Sequence, residues 1–191
     1  GDLVPADFDQ DGLMDLAFIT DTFRVAIVLQ TAGGGFAAPE EIGYERQVGS
    51  LAATDLDGDN IPDLVVGVND LNTAVDTAYI YTADWFTLLQ ADDELTPDQY
   101  AVENPVHIET GDIDNDGDVD VVTIGDLGTA SNFTILTGNG TGDFTRHVPA
   151  ATLNAPAQTF RMRDLNSDGL LDLVALTLDP QEPVNVFDFP P

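Results

Sequence analysis

The sequence predicts an all-β chain of four tandem, four-stranded antiparallel units, of the kind that stack as β-propeller blades. Three observations predict it. One nine-residue acidic phrase occurs four times, short β-prone runs flank every copy at matching positions, and Gly-rich hairpin turns follow the third run in two units.

The phrase is Asp7-Phe-Asp-Gln-Asp-Gly-Leu-Met-Asp15. It recurs as Asp55-Leu-Asp-Gly-Asp-Asn-Ile-Pro-Asp63, Asp112-Ile-Asp-Asn-Asp-Gly-Asp-Val-Asp120 and Asp164-Leu-Asn-Ser-Asp-Gly-Leu-Leu-Asp172, with starts 48, 57 and 52 residues apart. A first strand is expected before each copy, at Leu3-Val4, Ser50-Leu-Ala-Ala53, Val106-His-Ile-Glu109 and Thr159-Phe-Arg-Met162. A second follows it, at Leu16-Ala-Phe-Ile19, Leu64-Val-Val-Gly-Val68, Val121-Val-Thr-Ile124 and Leu173-Val-Ala-Leu176. Third strands are expected at Phe23-Arg-Val-Ala-Ile-Val28, Ala78-Tyr-Ile-Tyr81, Asn132-Phe-Thr-Ile-Leu136 and Val184-Asn-Val-Phe187. The turns Thr31-Ala-Gly-Gly-Gly-Phe36 and Thr137-Gly-Asn-Gly-Thr-Gly-Asp-Phe144 then lead to fourth, weaker strands. Runs apolar on both faces suit sheets packed between neighbouring sheets. The repeats are expected at about 1–47, 48–104, 105–156 and 157–191, the last incomplete. The stretch Asp84 to Gln99 reads as a loop excursion or a short helix.

Charge narrows the function classes. Five Arg and no Lys face 28 Asp and 7 Glu, for a formal net charge of −30. Such a surface repels phosphate backbones and anionic lipid, so neither nucleic acid nor a membrane surface is an expected partner. No apolar run approaches the roughly 18 residues of a membrane span. Cysteine is absent, which removes disulfides, thiolate metal sites and Cys nucleophiles. Sixteen of the 28 Asp fall inside the four acidic phrases, a clustering that a merely solubilising surface does not require.

The spacing within the phrase suits a hard cation. Ca²⁺ takes six to eight oxygens from carboxylates, carbonyls and water. Carboxylates at positions 1, 3 and 5 of a tight loop can point inward. Position 6 must turn the chain sharply, which favours Gly. A carbonyl at position 7 and a carboxylate at position 9 complete the shell. An EF-hand begins the same way but needs a Glu at position 12 between two helices. Position 12 here is Phe18, Val66, Thr123 and Ala175, each in a β-prone run. Metal-free acidic turns are the competing reading, and they leave the fourfold ligand spacing unexplained.

Asp-x-Asp-x-Asp-Gly-x-x-Asp followed by Leu-Val or Leu-Ala resembles the FG-GAP/VCBS repeat of integrin-type and bacterial extracellular β-propellers. The segment Leu136-Thr-Gly-Asn-Gly-Thr-Gly-Asp-Phe144 is similar to that family's third-to-fourth-strand hairpin. The resemblance covers nearly the whole chain and implies one structural Ca²⁺ per loop, about four in all. Carried over copy by copy, it implies Asp7, Asp9, Asp11 and Asp15 with the Leu13 carbonyl in the first site. In the second it implies Asp55, Asp57, Asp59 and Asp63 with the Ile61 carbonyl, Asn60 replacing the turn Gly. The third takes Asp112, Asp114, Asp116 and Asp120 with the Asp118 carbonyl. The fourth takes Asp164, Asn166, Asp168 and Asp172 with the Leu170 carbonyl, and one carboxylate fewer makes it the weakest.

The resemblance further implies an extracellular or cell-surface protein, bacterial or marine, that binds a protein or glycan in adhesion or scaffolding. The alternative is the propeller domain of a carbohydrate-active enzyme or a lectin. His107, expected in a strand, and His147, expected after a hairpin, read as structural, and no nucleophile or zinc motif is present. Lectins stack sugars on exposed aromatics. Tyr44, Tyr79, Tyr81, Trp85 and Tyr100 are the only Tyr and Trp, and they read as core or edge packing. Propellers of this family typically close with seven blades, so further blades from the same or another chain are expected to complete the four.

Overall fold

The computed structural model describes residues 2–42, 47–69, 77–81, 98–102, 104–181 and 183–187. No helix occurs among the described residues, which form fifteen strands in four antiparallel sheets. The first sheet runs β1 (Leu3–Ala6), β2 (Asp15–Ile19), β3 (Val25–Val28) and β4 (Glu40–Ile42). The second runs β5 (Gln47–Thr54), β6 (Asp63–Asn69), β7 (Thr77–Tyr81) and β8 (Asp98–Ala101). The third runs β9 (Pro105–Gly111), β10 (Asp120–Asp126), β11 (Ser131–Gly138) and β12 (Phe144–Leu153). The fourth has β13 (Ala157–Arg163), β14 (Asp172–Thr177) and β15 (Val184–Phe187). Every strand pairs with its neighbours in chain order, so each sheet is a simple meander.

Because successive side chains of a strand point to opposite faces, an inner sheet with apolar residues at consecutive positions can pack on both sides. β6 does this. Leu64, Val66 and Val68 join a core with Ala17, Val25 and Ile27 of the first sheet. Val65 joins a second core with Ile108, Val121 and Leu136 of the third. β10 repeats the arrangement, with Val121 toward the second sheet and Val122 and Ile124 toward Phe160, Met162 and Leu173 of the fourth. The four sheets therefore stack in chain order. In the last of these layers Phe133 meets Phe160 and Phe187 edge-on, with ring centroids 5.2 and 5.5 Å apart.

The boundaries depart from the sequence expectation in three places. Phe23 and Arg24 precede β3 rather than opening it. Phe23 has φ of 60° and closes a turn in which Arg24 O accepts from the Thr20 N–H. The turn at 31–36 carries only an isolated Gln30–Phe36 bridge, and the fourth strand pairs further on, at Glu40–Ile42. Asp98 and Gln99 lie in β8 and so in neither a loop nor a helix, while the rest of the 84–99 stretch, with Tyr44 and Trp85, lies outside the described residues.

Candidate metal-binding loops

Each acidic phrase joins the first and second strands of its sheet, with its ninth residue opening the second strand. The four loops share one hydrogen-bond pattern. The position-1 carboxylate accepts from the position-6 N–H in all four, at 3.0 Å for Asp7, 2.8 Å for Asp55, 3.0 Å for Asp112 and 3.1 Å for Asp164. The position-3 side chain (Asp9, Asp57, Asp114 or Asn166) accepts from the position-5 N–H at 2.9–3.3 Å. The position-5 carboxylate (Asp11, Asp59, Asp116 or Asp168) accepts from the position-7 N–H of Leu13, Ile61, Asp118 or Leu170 at 2.7–2.9 Å. These successive Asx turns wind the backbone tightly. They place position 6 at positive φ, Asn60 at 68° included, and also position 4, with Gln10 at 58°, Gly58 at 80°, Asn115 at 60° and Ser167 at 67°. The positive φ at position 4 is a feature that the sequence signals at Gly58 and Asn115 but not at Gln10 or Ser167.

Position 9 has a second task. Asp15, Asp63, Asp120 and Asp172 are the buried acids of the loops, each 2% exposed or less. One oxygen of each accepts from the position-2 N–H, at 3.0 Å from Phe8, 2.7 Å from Leu56 and 2.8 Å from both Ile113 and Leu165. Among the described residues, the other oxygen in two sheets reaches the chain at or just past the far end of the third strand. Asp15 Oδ1 accepts from Gln30 N at 2.7 Å, and Asp120 Oδ1 from Gly138 N at 2.8 Å. Gly138 is required at that end, since a Cβ there would collide with the Val119 carbonyl.

Positions 1, 3 and 9 converge in three loops. Asp7, Asp9 and Asp15 each bring an oxygen within 4.8 Å of the others, as do Asp55, Asp57 and Asp63, and Asp112, Asp114 and Asp120. Position 5 is not part of these trios. The fourth loop forms no such cluster, because Asn166 stands at position 3 and turns its amide nitrogen to Asp168 Oδ2 at 3.0 Å. Three clusters can therefore hold a metal ion.

The electrostatics of the clusters show what is missing from the protein itself. Among the described residues, no loop aspartate is paired with an arginine. Burial, reinforced by Asp57, Asp59 and Asp55, pushes the Asp63 carboxyl up to about 7 despite the Leu56 N–H. Burial raises Asp120 too, against the amides of Ile113 and Gly138 and with Asp114 and Asp116 adding to the rise. Asp9 is raised by desolvation and by Asp11, Asp15 and Asp7, against the Asp11 N–H. Asp7 Oδ1 is buried with no hydrogen-bond partner. An oxygen-only donor set with an orphaned buried carboxylate oxygen fits a hard divalent cation, which would supply the absent countercharge.

A second constellation carries no sequence motif. Glu109 of β9 pairs with Arg161 of β13 through a 2.8 Å contact to Nη1. His107 Nε2 lies 2.6 Å from the same nitrogen and 3.4 Å from Glu109 Oε1. Burial pushes the Glu109 carboxyl up, but His107, the Met162 N–H and the Arg161 guanidinium outweigh it and hold the group below its ordinary value. His147 lies in β12 and meets Thr137 Oγ1 at 3.0 Å. Tyr100 packs edge-on against Phe144 at 5.8 Å, and its hydroxyl accepts from Phe144 N at 3.1 Å, so it is spent on packing.

The fold and the loops together define a tandem β-sheet repeat protein whose strand-connecting loops can hold divalent metal. The chain belongs to the FG-GAP-like repeat family, whose profile matches residues 7–66 and 112–175, more than half of the sequence. Each matched segment runs from the first aspartate of one loop, through the next loop, into the second strand beyond it. No curated protein matches the chain.

Proposed function

We propose that the chain is a calcium-stabilised β-propeller module that binds a protein or glycan outside the cytoplasm, in adhesion or surface scaffolding. The observation that carries the reading is the convergence of carboxylates at positions 1, 3 and 9 in three loops without a protein cation to neutralise them. Ca²⁺ is the preferred ion because the donors are all oxygen and the loops lack the nitrogen or sulfur that softer metals select. The carbonyls of Leu13, Ile61, Asp118 and Leu170 complete the shells, and the fourth loop binds a fourth ion most weakly. Extracellular calcium modules have dissociation constants near 10⁻⁴–10⁻³ M, far too weak for cytosolic calcium. No helix among the described residues is long and apolar enough to cross a membrane.

Propeller geometry is supported by sheets that stack in chain order with their first strands side by side. The outer face of the fourth sheet supports further blades. Leu176 and Val184 pair across β14 and β15 on that face, with Val186 beside them. They are 41, 56 and 55% exposed, where the equivalent apolar faces of the inner sheets are covered by a neighbour. Another sheet of the same repeat, from this or a second chain, is the occupant this reading assigns.

Thermal melting with and without chelator tests the metal claim. At millimolar calcium a site of ~0.1 mM affinity adds roughly 1.4 kcal/mol, and four sites add on the order of 5 kcal/mol. Unchanged melting in excess chelator, after extensive dialysis, would remove the reading.

A further inference from the structure

We propose that the cleft between the first strands is a binding site for a neutral pyranose sugar, gripped through a vicinal pair of hydroxyls. This deepens the glycan branch of the function above and rests on it.

The cleft has a volume of about 360 Å³ and is lined by all four first strands and Asp2. That is the lower end of small-ligand sites, with room for one or two sugar rings. Its polar side is asymmetric. Arg161 is fixed through one nitrogen alone. Nη1 meets Glu109 Oε1 at 2.8 Å, His107 Nε2 at 2.6 Å and the Phe160 carbonyl at 2.8 Å. Nε and Nη2 have no partner among the described residues, and the side chain is 55% exposed. The guanidinium is thus held in place with its two-pronged donor edge open, the edge that grips paired oxygens.

Acceptors stand in the same cleft. Glu109 Oε2 has only a long 3.4 Å contact from Met162 N. Asp2 uses Oδ2 for the Leu51 N–H at 3.1 Å, and Oδ1 takes no partner among the described residues. A hydroxyl accepts and donates at once. Two adjacent hydroxyls can therefore take the Arg161 edge as acceptors and donate to Glu109, with Asp2 a further acceptor lining the cleft for another hydroxyl of the ring. The lining also includes the exposed apolar residues Leu3 and Pro5 of β1, and apolar surface suits the C–H face of a sugar ring. Charge selects against an anion. Asp2 and Glu109 outnumber Arg161 locally, and the chain as a whole carries −30, so a uronate meets repulsion where a neutral sugar does not. The aromatic route to sugar binding is closed at Tyr100, which is committed to Phe144.

The test is ligand-observed NMR and calorimetry on the full calcium-loaded chain, with methyl mannoside, methyl glucoside and glucuronate as probes. The expected result is saturable binding of at least one neutral glycoside and at least tenfold weaker binding of glucuronate. Arg161→Gln and Arg161→Lys should each weaken the glycoside at least tenfold, the lysine keeping the charge but not the fork. Glu109→Gln provides a second probe of the same site. Calcium content and melting are measured on every variant, so loss of the module is distinguished from loss of the sugar site. No saturable binding by a chain with its calcium intact overturns the proposal. So does binding that ignores both Arg161 variants, and so does tighter binding of glucuronate than of the neutral sugars.

Discussion

Asp120 and Glu109 belong to the same sheet, are both largely shielded from water, and have their carboxyls displaced in opposite directions. Glu109 is met by His107, the Met162 N–H and a guanidinium at 2.8 Å, which together outweigh its burial and hold its charge on. Burial resists the charge of Asp120 despite two backbone amides, and Asp114 and Asp116 add to the resistance. Beside the hydrogen bonds, the difference is a countercharge. The first-strand cluster carries its own cation, whereas the acidic loops have none among the described residues and, on the reading proposed above, take one from outside. Clustered carboxylates with no protein cation make folding and divalent-ion binding a single equilibrium.

The largest expected effect breaks this contrast by removing the external cation. Excess chelator should cost on the order of 5 kcal/mol, which for a chain of this size lowers the melting temperature by about 10–20 °C, as differential scanning calorimetry will record. The loops should respond and the first-strand cluster should not, so amide exchange in chelator should rise first around residues 112–118 and last around Glu109 of β9.

Next come substitutions that separate structural from metal-binding carboxylates. In chelator, Asp120→Ala should still destabilise by about 2–5 kcal/mol, because the Ile113 and Gly138 amides lose their acceptor. Asp114→Ala in the same conditions should be neutral or slightly stabilising, since it removes an exposed like charge from the cluster. In calcium both should lose stability. Chemical denaturation of the two variants in each condition supplies the four values.

A smaller effect is expected at the fourth loop. It keeps the hydrogen-bond pattern of the other three, with Asn166 accepting from Asp168 N at 2.9 Å, yet lacks their three-carboxylate cluster. Backbone form alone therefore does not make the site. Asn166→Asp should tighten calcium binding at that loop by roughly tenfold, read by calorimetric titration.

The smallest effect belongs to Glu109. Its carboxyl is held below the unfolded-state value, so it contributes stability above that value and loses it as pH falls through the folded one. With the pair partly exposed, the loss should stay below about 1 kcal/mol. It should disappear in Glu109→Gln, as melting curves between pH 7 and 3 will show.

The loops were legible because their chemistry demands particular residue types at fixed positions, and four copies report it together. The central strands were equally legible, since Leu64, Val65 and Val66 must be apolar to pack on both sides. The bounds of the outer strands β4 and β8 were not. β4 is Glu40-Glu41-Ile42 and β8 is Asp98-Gln-Tyr-Ala101, with no apolar alternation. An edge strand pairs on one side only and tolerates the charge that keeps it from pairing further, so its existence is dictated by the neighbouring strand. The turn at Phe23 was hidden because an apolar residue gives no sign of positive φ. The strain at Gln10 and Ser167 was hidden because the Asx turn at position 3, rather than a glycine or asparagine, imposes it. The first-strand cluster could not be read at all. His107, Glu109 and Arg161 share no spacing rule, and only the stacking of the third sheet on the fourth brings them together.

The most direct measurement of the central claim is a count of calcium bound per chain by equilibrium dialysis in millimolar calcium, on the unmodified protein and on the triple variant Asp9→Ala, Asp57→Ala, Asp114→Ala, which removes the position-3 oxygen that Asn166 keeps in the fourth loop. The account predicts close to four ions on the former and a loss of about three on the latter. A chain that binds none while folded, or a variant that keeps them all, would contradict it.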